Sequence, residues 1–121
     1  MPELVYREIP ELTVAEIGAI LKRDDSDELL EAVLSAALYG DDRNYAEQLC
    51  IRLSNHPHFN VRGNAILGFA HIARIDERLD EPTVKPIIQR GLQDEHEYVR
   101  GQAQSAKDDV EHYLGWKFRS K

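Results

Sequence analysis

The residues able to do chemistry are few and scattered. There are five histidines, His56, His58, His71, His96 and His112, and a single cysteine, Cys50. His56 and His58 flank Pro57 in a turn-like stretch, and neither a cysteine nor an acid stands beside them at a closed metal-site spacing. Asp108 and His112 are four residues apart, which places them on one helix face as a surface ion pair rather than a catalytic dyad. Cys50 lies between Leu49 and Ile51 on an apolar stripe and reads as a small buried hydrophobe, not an activated thiol. No glycine-rich phosphate loop, Gly-x-Ser-x-Gly elbow or zinc-protease motif occurs. The sequence therefore gives no catalytic residue, no metal ligand and no cofactor, and the expectation is a non-enzymatic protein.

What stands out instead is acid. Lys and Arg number 15 against 22 Asp and Glu, a formal charge of −7 that opposes direct binding to nucleic acid or an anionic membrane. The excess is local: net charge runs −6, −1 and 0 over residues 1–40, 41–80 and 81–121. Asp24, Asp25, Asp27, Glu28 and Glu31 put five acids into eight residues, and Asp41 and Asp42 follow one helix length later, roughly 20 Å away at 1.5 Å per residue. Two readings apply to these seven positions. They cap helix N-termini, where a negative charge gains about 0.3–1 kcal/mol, or they form a surface for a basic partner.

The elements that must position these residues are helices. Apolar residues recur at spacings of three and four along almost the whole chain, and no stretch shows sustained two-residue alternation between hairpin turns. Thr13-Val14-Ala15-Glu16 is a capping box that opens a first helix ending near Arg23. Asp24 to Glu28 supplies caps for a second helix closed by Gly40, and Asp41-Asp42 caps a third, which stops at Asn55-His56-Pro57-His58. A fourth helix is predicted from about Asn60 to Ile75. Pro82 and Pro86 belong before or inside the first turn of a fifth, and a sixth runs from about Glu95 to Leu114, stopped by Gly115. The expected fold is all-α, a single domain over 1–121 built from three helical hairpins at about 11–40, 41–75 and 82–114, with a C-terminal tail at 115–121 in which Trp116 and Phe118 cap the last hairpin. At 121 residues and 13.9 kDa one core is the natural size. One cysteine allows no intrachain disulfide, and neither a signal peptide nor a membrane-length apolar run is present, so a cytoplasmic location is expected.

An internal repeat carries the rest of the reading. Val61-Arg62-Gly63-Asn64-Ala65 and Val99-Arg100-Gly101-Gln102-Ala103 match at four of five positions, 38 residues apart, each after a leucine and a short polar turn. With Asp94 before the second copy, the pattern of Asp, a turn, Val-Arg, two variable residues and Ala resembles the HEAT-repeat family of helical hairpins. The earlier copy has Asn55 or His56 where the Asp is usual, and the later has Lys107 where an apolar residue is expected. The resemblance covers roughly residues 42–114 and implies a right-handed α-solenoid. Val61, Arg62, Ala65, Asp94, Val99, Arg100 and Ala103 are then structural repeat positions, the arginines bonding turn carbonyls or an acid such as Asp94. Gly63 and Gly101, with Ala65 and Ala103, would let neighbouring helices approach closely.

Arrays of this kind present an extended face to a macromolecule. In size and acidity the chain is similar to the small cytosolic immunity proteins of bacteria that neutralise secreted nuclease toxins. That resemblance implies an inhibitor whose partner is a basic, nuclease-type toxin, with no nucleic acid or membrane bound directly. An adaptor or scaffold subunit is the alternative. Repeat-fold enzymes of the hydroxylase, lyase or glycosylase type come third: His96-Glu97 has the form of one iron-ligand pair of the hydroxylases, but the aligned position in the preceding hairpin is His58-Phe59.

Overall fold

The computed structural model describes residues 9–40 and 42–118. Among them are six helices and no strand: α1 (Val14–Arg23), α2 (Ser26–Tyr39), α3 (Arg43–Leu53), α4 (Phe59–Asp76), α5 (Glu81–Gly91) and α6 (Glu97–Leu114). The fold is all-α. The capping box forms in both directions, with the Glu16 amide donating to Thr13 Oγ1 at 3.1 Å and the Thr13 amide to Glu16 Oε1 at 2.8 Å.

The N-termini of α4 and α6 are set by residues the sequence does not advertise. His58 and His96 are the N-caps, each accepting on Nδ1 from the amide two residues on, Asn60 at 3.2 Å and Tyr98 at 3.1 Å. Histidine is uncommon in this role, which asparagine, aspartate and serine usually fill. Pro82 stands in the first turn of α5, but Pro86 lies a turn further in, inside the helix, where it removes one intrahelical bond. Its side chain is exposed.

Packing radiates from α4, which buries residues along most of its length, including Val61, Ala65, Ile66, Phe69, Ile72 and Ala73. It meets α6 and α2 most extensively, then α3 and α5. Leu29, Val33 and Ala36 of α2 and Val99, Ala103, Ala106 and Val110 of α6 complete the same core. Small residues permit the closest approaches. A methyl on Gly68 would lie 2.5 Å from Cys50 Sγ, and one on Gly63 would meet the Tyr98 ring at 3.0 Å. Gly101, the repeat counterpart of Gly63, instead faces open space and is exposed, with no helix among the described residues packed against it. Trp116 folds back into the core at 8% exposure, and Phe118 is half-buried with the Lys85 and Lys107 ammoniums 5.2 and 5.6 Å from its ring centre.

Candidate interaction surface

The acidic positions divide between the two ends of α2. At its start, Asp24 closes α1 in the left-handed conformation (φ 55°) and its Oδ1 lies 2.9 Å from His56 Nε2. Asp25 is the N-cap of α2 and accepts from the Glu28 amide at 3.1 Å. Glu28 receives a two-pronged bond from Arg23, at 2.8 and 3.1 Å, which raises the guanidinium's already high pKa. Asp27 is exposed in the first turn and Glu31 is half-buried one turn on. At the far end, Asp42 caps α3 by accepting from the Tyr45 amide at 3.2 Å, while Asp41 lies outside the described residues. Capping and ion pairing thus engage Asp24, Asp25, Glu28 and Asp42. A helix of 14 residues, about 20 Å long, separates the two groups.

The repeat residues are joined by contacts that span successive helix pairs. Arg62 forks onto Asp94 at 2.8 and 2.9 Å, and its Nη1 also donates to the carbonyls of His56 and Pro57, both at 3.1 Å. The bond to Arg62 holds the Asp94 carboxyl below the ordinary aspartate range, helped by the His96 amide donating to it. Arg100 donates to the Asp94 carbonyl at 2.8 Å. Val61, Ala65, Val99 and Ala103 are fully buried. Asn64 donates to Tyr98 Oη at 2.8 Å, Arg90 to Asn55 Oδ1 at 3.0 Å, and the buried Glu47 holds both Arg43 and the Asp80 amide. With the Asp24–His56 contact, the bonds of Arg62 to Asp94 and the His56 carbonyl and of Arg90 to Asn55 link the α1–α2, α3–α4 and α5–α6 turns along one edge. Phe59 stacks on His96 at 3.8 Å along it.

Burial shifts further titratable groups. Burial pushes the Cys50 thiol up to about 12, with the Glu47 charge adding to it. Burial also lowers the His71 pKa, assisted by Arg74 and opposed by Asp109. Among the described residues no group of three or more His, Cys, Asp or Glu could hold a metal ion, and no helix is long and apolar enough to cross a membrane.

A solved structure shares this fold. It is a chain in the crystal structure of a CDI complex from Cupriavidus taiwanensis LMG 19424, with a TM-score of 0.78 and 24% sequence identity, covering 89% of this chain and 96% of that one. No family model matches the sequence, and neither does any curated protein. At this identity the likeness establishes the arrangement of helices, which extends over nearly the whole of both chains.

Two features of the surface escape the sequence reading. The histidine caps have a signal in the repeat itself, since His58 and His96 each stand three residues before the Val of the matching segments. The second is a cleft beside Tyr39 and Tyr45 that no single segment encodes, because its walls come from three helices.

Proposed function

We propose that this chain is an immunity protein, a non-enzymatic inhibitor that binds a contact-dependent inhibition (CDI) toxin in the cytoplasm and blocks it. The observation that carries the reading is the likeness, over 89% of this chain and 96% of that one, to a chain of a CDI complex, which we take to pair a toxin with its immunity protein. Between those two roles, inhibitor fits the chemistry of this chain better. Its excess of acids over bases falls in residues 1–40, and burial pushes the thiol of its one cysteine up to about 12. A basic toxin, nuclease-type, is the partner that this charge suits, since opposite charge accelerates docking and like charge suppresses it. The six helices read as three hairpins of one domain, at about 11–40, 41–75 and 82–114, stacked as a right-handed HEAT-like array. In that array Val61, Arg62, Ala65, Asp94, Val99, Arg100 and Ala103 hold neighbours in register, and Asp24, Asp25, Asp27, Glu28, Glu31, Asp41 and Asp42 supply the field that a basic partner meets.

Growth protection tests the reading. The gene is co-expressed with the gene that neighbours it, and survival is scored beside purification of the complex. Protection with a one-to-one complex is expected. Full toxicity in the presence of the folded protein, with no complex recovered, would overturn it.

A further inference from the structure

At the far end of α2 from Asp24 to Glu28 lies a cleft of about 400 Å³, bounded by the start of α1, the end of α2 and the start of α3. This volume falls in the range of small-ligand sites, about 300–1,000 Å³. Its floor is apolar, with Ile17 buried at 2% exposure. Its walls carry two of the chain's most solvent-open apolar side chains, Val14 at 63% and Tyr39 at 44%, together with the half-buried Tyr45 ring. Among the described residues the charged groups lining it are Glu11 and Asp42, both exposed. The nearest candidate cation in sequence, Arg43, is turned away onto Glu47 at 2.9 Å. Glu16, near the same rim, is occupied by the Thr13 amide.

Aromatic rings, an apolar floor and two exposed carboxylates make a site of definite preference. An apolar ligand alone would use the floor and leave the negative charge at the rim unanswered. A lysine ammonium would answer the charge, but it is compact and strongly hydrated. A guanidinium is planar, more weakly hydrated, stacks on aromatic faces and forks onto carboxylates. We infer that the Tyr39–Tyr45 cleft receives an arginine side chain presented by the partner protein, its guanidinium between the tyrosines and the Glu11 and Asp42 carboxylates. This rests on the immunity reading for the identity of the partner, while the recognition of arginine belongs to the cleft itself. Asp42 can serve both purposes, because the cap on α3 uses Oδ1.

The test separates the two. The full chain, labelled with ¹⁵N, is titrated with N-acetyl-L-argininamide and, in parallel, with N-acetyl-L-norleucinamide, which has the stem without the charge. Argininamide is expected to shift the Gly40, Asp42 and Tyr45 amides, saturating in the millimolar range, about −4 kcal/mol at 1 mM. Tyr39→Ala and Asp42→Asn, the latter keeping the cap, should each weaken binding about fivefold or more with the rest of the spectrum unchanged. No shift at saturating probe, equal shifts with norleucinamide, or wild-type affinity in both variants would overturn the inference. None of these outcomes depends on whether the toxin is neutralised. In the growth assay, loss of protection in Tyr39→Ala with Asp42→Asn supports the cleft as part of the toxin interface, and full protection overturns that part.

Discussion

Arg62 and Asp94 show how one ion pair can serve two turns. Both side chains are about 15% exposed, so the charges are shielded from water and each depends on the other. Replacing Arg62 with Ala leaves the Asp94 carboxylate with the His96 amide alone and frees two turn carbonyls, and the expected cost is on the order of 2–4 kcal/mol in urea unfolding. The pH dependence follows from the sign of the shift. The Asp94 pKa is depressed in the folded state, so its contribution is fully present above the unfolded value, about 3.9, and is lost as pH falls through the folded value. The stability gap between the wild type and Asp94→Asn should hold steady from neutral pH to about pH 5 and close in stronger acid. A gap unchanged down to pH 2 would show that the pair contributes nothing through charge. Cys50 makes a simpler case. With its thiol buried and its pKa pushed up to about 12, it should resist alkylation at pH 8 in the native protein and react at once in denaturant.

At the scale of elements, the helices were legible because their signals are local. Thr13 and Glu16, the acids before α2, Asp42, and Gly115 at φ 70° mark termini by capping chemistry that neighbouring residues complete. Pro86 was misplaced by a turn for a physical reason: α5 lies against α6 and α4, and burial of Val84, Ile87 and Ile88 carries the helix past the residue that should have interrupted it. The histidine caps went unread because their propensity is weak, and only the in-register turns explain them. The contact of α4 with α3 gives the test at this scale. Gly68 abuts Cys50 so closely that a methyl demands a shift of either helix or of the sulfur. Gly68→Ala, favourable by about 1 kcal/mol in an exposed helix, should here destabilise by about 1–3 kcal/mol. The double variant with Cys50→Ala should recover part of the loss, and additive losses would show that the sulfur is not the obstacle.

Across the whole molecule, the charge was legible as a total and only partly as a surface. Composition places the excess in residues 1–40, but it cannot distinguish a carboxylate that caps a helix from one presented to a partner. Asp25 and Asp42 cap, Glu28 is forked by Arg23 and Asp24 meets His56, whereas the cleft that joins Glu11 to Asp42 requires three helices to be placed first. Structure therefore changes which acid tests the docking surface. Reversing Asp25 would remove a cap and confound binding with folding, whereas Asp27 is exposed in the first turn of α2 and makes no cap. Asp27→Asn should leave stability within about 0.5 kcal/mol and slow association with a basic toxin several-fold at low salt. The deficit should fade as salt shortens the screening length from about 10 Å at 0.1 M toward 3 Å at 1 M, with dissociation little changed. A slower on-rate that persists at 1 M salt would mean direct contact rather than steering, and an on-rate equal to wild type at low salt would remove the start of α2 from the approach path.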